Sequence, residues 1–305
     1  MERMIYQTLQ DQYAALNLPT SLMGPDEDFT IFDLKDLNRT FPFQSPVSRL
    51  NFFVFVFVKD ATGHYLVDDQ HYPIGPGTVY FTNPGHWRSF NWLSINSVCL
   101  VTMSESFLKE NVHNRIFEEF PFLLSETFPG KMIGHALFAE FEELYEQVKK
   151  AHLSSSAYRR RIIGNLFVVI LLKIKEIFWK DYDPHAEGDR HSVIVRDFNI
   201  LVEQHYKDLA SGKLKRGFQA RDFAAQLQLH PNYLNSVIKS KTGRPLSTWI
   251  AEKTIAEARS LLMNTSLSVK EISCRIGCGR SAHFGAFFKR HTGLSPAKFR
   301  AGNNS

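Results

Sequence analysis

Lys239-Ser-Lys-Thr-Gly243 returns fifty residues later as Lys289-Arg-His-Thr-Gly293, and this recurrence decides the fold of the C-terminal third. Leu234 and Ile238 return at the same offset as Phe284 and Phe288. Upstream the offset is 49, so that Phe223, Leu227 and Leu229 are matched by Ile272, Ile276 and Cys278. The one-residue slip falls in the turn between two helices, where length varies freely. A duplicated helix–turn–helix is therefore written in the chain itself.

Capping residues place the ends of these helices. Pro231 after His230 suits the first position of a helix, because its missing N–H has no partner there anyway. Ser268-Val-Lys-Glu271 is a capping box that opens the first helix of the second copy. Gly277 and Gly279 supply its turn, while Gly243 and Gly293 stop the two outer helices. The copies span about 220–243 and about 268–293. Between them Ser247–Asn264 forms a connecting helix with Trp249, Ile250, Ile255, Leu261 and Leu262 as its core residues.

Charge follows the same division. The 305 residues carry a formal net charge of only +5. Residues 1–192 hold 18 Lys+Arg against 24 Asp+Glu, a net of −6, whereas residues 193–305 hold 18 against 7, a net of +11. The C-terminal third is thus a strongly basic module attached to a mildly acidic body, and that asymmetry is a first clue to function. Asp181–Ser192 is polar, lacks an apolar period, and is the expected linker where the sign changes.

Ahead of the linker the period is that of strands. Arg49–Val58 is aromatic and β-branched on both faces, as for a strand inside a sandwich or barrel. A turn is expected at Asp60-Ala-Thr-Gly63, then strands at His64–Tyr72, Thr78–Phe81, His86–Trp92 and Ile95–Met103. Residues 1–130 read as an antiparallel sandwich, barrel or jelly roll. Residues 131–180 read as a helical hairpin: Ile133–Lys150 is amphipathic, and a second helix runs from Ser154–Ser156 to about Lys180. The apolar residues of that second helix cover more than one face, which fits a homodimer contact as well as burial within the chain. Residues 193–305 read as an all-α domain that holds the repeat.

Several classes drop out. The longest apolar run, Leu166–Leu172, is far short of the roughly 20 residues of a membrane span, and the N-terminus has no secretory pattern. Cys99, Cys274 and Cys278 are too few and scattered for a disulfide framework, which suits the cytoplasm; Cys274 and Cys278 are expected to be core thiols. His64, His71 and His86 are separate, with no His-x-His pair, so neither a metal nor another cofactor is expected.

The C-terminal residues resemble a known family. Phe223-Ala-Ala-Gln-Leu-Gln-Leu-His-Pro-Asn-Tyr-Leu234, Ala258-Arg-Ser-Leu-Leu262, Val269-Lys-Glu-Ile-Ser273 and Thr292-Gly-Leu-Ser-Pro-Ala-Lys-Phe-Arg300 are similar to the DNA-binding domain of AraC-type bacterial transcription regulators. The resemblance covers about a third of the chain. Tyr72-Pro-Ile-Gly-Pro-Gly-Thr-Val-Tyr-Phe81 and Asn83-Pro-Gly-His86 are similar, more weakly, to the cupin-like effector domain of that family. It implies a regulator of transcription rather than an enzyme, with double-stranded DNA as partner, RNA polymerase as a further partner for an activator, and a small-molecule effector.

In a helix–turn–helix the exposed side of the second helix reaches base edges in the major groove. With Leu234 and Ile238 facing inward, Asn232, Tyr233, Asn235 and Ser236 face DNA, and the resemblance implies the same positions. Asn232 and Asn235 are the foremost base readers, because Asn pairs with adenine N6/N7. In the second copy Phe284, Phe287 and Phe288 are inward and Arg280, Ser281 and His283 outward. Gly285 and Ala286 stand where this family often carries polar residues, which favours backbone or shape readout there. Lys239, Lys241, Lys289 and Arg290 lie at helix C-termini, placed for phosphates or for the helix dipole. Trp87, Arg88 and Trp92 are the candidate lining of an effector pocket. A metal-dependent cupin enzyme and a DNA-repair alkyl acceptor are alternatives, and the absence of His-x-His and of a Cys cluster counts against them.

Overall fold

The computed structural model describes residues 3–303 apart from 7, 17, 19–22, 24–27, 38–39, 68–69, 113–115, 125–127 and 179–189. In chain order its strands are β1 (Arg3–Tyr6), β2 (Phe29–Asp33), β3 (Phe43–Gln44), β4 (Val47–Leu50), β5 (Phe53–Val67), β6 (Gln70–Ile74), β7 (Thr78–Thr82), β8 (Trp87–Met103) and β9 (Phe128–Met132). The helices are α1 (Leu9–Ala15), α2 (Glu105–Asn111), α3 (Ile116–Glu119), α4 (His135–His152), α5 (Arg159–Phe178), α6 (Arg190–Ala210), α7 (Ala220–Gln226), α8 (Pro231–Thr242), α9 (Leu246–Asn264), α10 (Val269–Arg275), α11 (Ser281–Thr292) and α12 (Pro296–Asn303). The chain divides into two compact units, residues 1–107 with 125–183, and residues 108–124 with 184–305.

The first unit is built on one sheet in the order β1-β4-β8-β5-β7-β9, with β2 and β3 also on β8 and β6 on β5. β5 and β8 pair antiparallel from Phe53↔Met103 to Val67↔Arg88. The turn expected at Asp60–Gly63 is instead a bulged continuation of β5. Gly63 serves close approach there and not reversal: a Cβ would lie 2.3 Å from the Asn91 carbonyl oxygen. His86–Trp92 and Ile95–Met103 likewise merge into the single strand β8.

The two apolar faces of β5 go to different partners. Val54, Val56 and Val58 enter the sheet's core with Tyr13, Phe32, Tyr65, Tyr80 and Trp92. On the other face Phe55 meets Phe167 of α5 edge-on at 5.0 Å, and Phe57 lies 5.7 Å from Phe141 and 5.4 Å from Tyr145 of α4. Burying each Phe stabilises by about 1.5–3 kcal/mol. The α4–α5 hairpin thus belongs to the first unit rather than standing apart at 131–180. Arg160 fixes α5 further through a two-pronged pair with Asp28, both bonds 2.8 Å.

The second unit has two cores sharing α9. Phe198, Val202, Phe223, Leu234, Ile238, Leu246 and Trp249 form one. Ile255, Leu261, Leu262, Ile272, Ile276, Phe284, Phe288 and Phe299 form the other. Residues 108–124, expected within a 1–130 domain, belong to this unit. The reason is electrostatic: Lys109, fully buried, donates to Glu203 at 3.1 Å and Glu257 at 3.3 Å. A buried ammonium holds only where carboxylates and hydrogen bonds surround it. Ser260 Oγ donates to the Lys109 carbonyl, and Asn264 Nδ2 to that of Glu110. Of the expected 181–192 linker, residues 181–189 lie outside the described residues and Arg190 already opens α6.

Candidate nucleic-acid interface

Each helix–turn–helix begins with an anion at the helix start. Ser268 Oγ accepts from the Glu271 N–H at 3.2 Å, and the Ser268 N–H donates back to Glu271 at 2.8 Å. In the first copy the Gln219 N–H donates to Asp222 at 2.8 Å. These bonds, with Arg216 beside Asp222, hold both carboxyls below their ordinary values. The turns match too. Gln228 and Gly277 occupy equivalent positions and both are left-handed, at φ 55° and 75°. Gly277 is required for a second reason, since its carbonyl accepts from the Gly217 N–H and a Cβ would lie 2.1 Å from that nitrogen. This contact ties the chain entering the first copy to the turn of the second.

On α8 Leu234, Val237 and Ile238 are buried, which leaves Asn232, Tyr233, Ser236 and Lys239 exposed on the outer side. Asn235 departs from the expected role. It is half-buried, and its Oδ1 accepts from the Leu246 N–H at 2.9 Å. Paired recognition of adenine needs both ends of the amide, and here the oxygen is committed to joining α8 to the start of α9. Lys241 is half-buried and already partnered, which counts against a phosphate role, whereas Lys239 is exposed.

α11 carries Ser281, His283, Ala286, Lys289 and Arg290 on its exposed side, with Arg280 exposed at the N-cap. Phe284 and Phe288 are buried; Phe287 is only half-buried and lies under the Arg290 guanidinium at 5.8 Å. Gly285 has open space around its missing side chain, and Ala286 is short. The face is therefore flatter than that of α8. Cys274 is exposed rather than in the core, and Cys278 is half-buried, its thiol pushed up by burial.

Beneath the first copy His205 is buried and stacks on Phe218 at 4.3 Å. Its Nε2 accepts from the Phe218 N–H at 3.0 Å, and burial lowers its pKa to about 4. The ring is a neutral strut. This role was missed because it depends on a loop thirteen residues away.

In the first unit a mostly apolar cavity of about 90 Å³ is lined by Tyr13, Phe32, Phe43, Tyr80, Phe90 and Trp92 among others. Of the candidate effector residues, Trp92 lines it. Arg88 is buried on the same face of β8, two and four residues before Phe90 and Trp92. Trp87 alternates to the other face, where the Arg49 guanidinium covers its ring at 4.2 Å. His64 and His71 are exposed and His86 half-buried; among the described residues no three His, Cys, Asp or Glu are grouped to hold a metal ion. None of the described helices is long and apolar enough to cross a membrane.

Two outward helices on a basic, duplicated helix–turn–helix define a DNA-binding transcription regulator. The helix-turn-helix domain family matches residues 223–302. The chain is 24% identical to the HTH-type transcriptional regulator YfiF of Bacillus subtilis over 82% of its own length and 77% of that protein. It is 23% identical to the HTH-type transcriptional activator RhaS of an Enterobacter species, over 85% of its length and 89% of that protein. Against the arabinose operon regulatory protein of Salmonella typhimurium it is 25% identical over 53% of each chain. With these relatives and this repeat, the chain is similar to AraC-type transcription regulators, most specifically over its helix–turn–helix domain.

Proposed function

We propose that the protein is a sequence-specific regulator that lays α8 and α11 into successive major-groove segments of double-stranded DNA. The observation that carries this is the placement of both helices on the shared helix α9, with exposed polar faces and exposed cations at their C-terminal ends. Asn232, Tyr233 and Ser236 read bases from α8; Arg280, Ser281 and His283 contact the second segment; Lys239, Lys289 and Arg290 meet phosphates. Asn235 holds the α8–α9 corner that presents them. Regulation comes from a small molecule bound in the first unit, which can act only by binding two states unequally. No catalytic step is assigned to any residue, and the protein works in the cytoplasm, with RNA polymerase as partner where it activates.

The protein acts as a homodimer through α5. Ile162, Val169 and Leu172 lie on one face of α5 and are 44%, 40% and 45% exposed, with Tyr158 exposed in the turn just before it, while the opposite face packs inside the unit. Ile162→Glu with Leu172→Glu should convert a dimer to a monomer in light scattering and remove any dependence of the melting temperature on protein concentration.

Genome-wide binding of the tagged protein, followed by salt titration on its best site, tests the main reading. A recurring site with steep salt dependence is expected. Equal affinity for random DNA would sink it.

A further inference from the structure

Beside the first outward helix stand two residues that belong to neither helix–turn–helix copy. Arg190 and His191 open α6, and both are exposed. The His191 ring meets Tyr233 of α8 edge-on, with centroids 6.3 Å apart. That separation lies within the range at which aromatic rings attract. Packing fixes the start of α6 in this place: Ile194, Phe198 and Val202 share one core with Leu234, Val237 and Ile238 of α8. On α11 the matching position is His283, one residue before Phe284 as Tyr233 is one before Leu234. Among the described residues no ring leans on His283. The arrangement is therefore particular to the first copy.

The groups at the start of α6 suit phosphates. The Arg190 guanidinium is a fork of N–H donors that fits two phosphate oxygens, and among the described residues it has no hydrogen-bond or ion-pair partner. His191 adds a ring N–H. The major groove is about 12 Å wide, so a side chain roughly 6 Å from one that faces base edges reaches the groove wall, which is a row of phosphates. Tyr233 is 36% exposed, which leaves part of its ring open beyond the contact with His191. A tyrosine that already leans on a neighbour loses less side-chain freedom when it binds.

We propose that the first turn of α6 is part of the DNA interface: Arg190 and His191 contact the phosphates bordering the groove segment that α8 enters, and His191 positions Tyr233 to read its base. This rests on the reading of α8 as a major-groove helix and adds to it a phosphate clamp on the first copy. Arg190 contributes affinity without sequence preference, because phosphates carry no sequence. His191 contributes to both, through its N–H and through the ring it supports.

The test is anisotropy of full-length variants on the best genomic site and on random DNA across a salt series. Arg190→Ala should reduce the salt slope by about one on both DNAs and leave their affinity ratio unchanged. Lys150→Ala removes an equal charge from the exposed side of α4 and should leave the slope as it is. His191→Phe keeps a ring against Tyr233 but loses the N–H, so it should weaken both DNAs by the same factor. His191→Ala should also lower the ratio several-fold, and should add nothing to the loss of ratio in Tyr233→Ala. All these side chains are exposed, so the melting temperature should not move. A parental salt slope in Arg190→Ala would overturn the proposal, as would an equal change of slope in Lys150→Ala. An unchanged ratio in either His191→Ala or Tyr233→Ala would overturn the positioning role. Asn232→Ala and Lys239→Ala report on the groove reading itself. If neither changes binding, α8 is not in the groove and both readings fall; if both act while Arg190→Ala and His191→Ala do not, only the α6 contact falls.

Discussion

At Asn235 one oxygen decides between reading DNA and holding the protein together. Its Oδ1 satisfies the Leu246 N–H at the start of α9, and removing an acceptor from a half-buried N–H costs about 1–3 kcal/mol. Asn235→Ala should lower stability by that amount and weaken binding equally on operator and random DNA. Asn232→Ala or Ser236→Ala should instead lower discrimination by about 1–3 kcal/mol per base contact at unchanged melting temperature. His205 makes a different residue-scale prediction. Its folded pKa of about 4 lies below the ordinary histidine value near 6.5. The stability it contributes is therefore complete above about 6.5 and is lost as pH falls from there through about 4. His205→Gln keeps an acceptor for the Phe218 N–H, and should flatten the melting-temperature profile across that window. An unchanged slope would show that the ring is not held neutral.

Among the elements, the two turns run a natural comparison. Gln228 and Gly277 share a left-handed backbone, which costs a side-chain-bearing residue about 1–2 kcal/mol. Gln228→Gly relieves that cost but adds roughly 0.4–1 kcal/mol of unfolded-chain entropy, so denaturant melts should show a gain of between about 0 and 1.6 kcal/mol. Gly277→Ala has no such balance, because the new methyl group would strike the backbone at Gly217. It should destabilise by more than 1 kcal/mol. The same pair shows what was legible in the sequence. The repeat, the Ser268–Glu271 box and the glycine stops follow from local spacing, and the structure places them as expected. Gln228 was not legible as left-handed, since nothing in its type demands it. β1, β2 and α1 were also missed, because their short, mixed sequences show no clear period. The Asp60–Gly63 turn was misread because a glycine needed for close approach looks the same as one needed for reversal.

At the scale of the molecule, affinity for DNA rests on many weak phosphate contacts, and each lost cation should reduce the salt slope by about one. Lys289→Ala and Lys239→Ala should each do so on any DNA, measured by anisotropy across a salt series. Lys241→Ala should not, since that side chain is half-buried and engaged within the protein. Lys109 answers to different physics. Removing a buried ammonium leaves Glu203 and Glu257 facing each other with less compensation, and such losses cost about 3–5 kcal/mol. Lys109→Ala should lower the melting temperature of the second unit markedly, although it lies far in sequence from the helix–turn–helix repeat. No reading of composition or period finds that partnership, for its members are separated by 94 and 148 residues.

That embedded segment also sets where the chain can be cut. A fragment starting at residue 184 would retain both helix–turn–helix copies but lose the 108–124 stretch that belongs to the same unit. It would carry an open acidic slot where Lys109 sits, beside the ring site of Phe117, and would be expected to aggregate or melt early. A synthetic peptide of residues 108–124 added in trans should restore it, and the same peptide with Lys109→Ala should not. The basic third of this protein is thus a continuous reader of DNA in sequence, but as a folded body it borrows a piece from the acidic part of the chain.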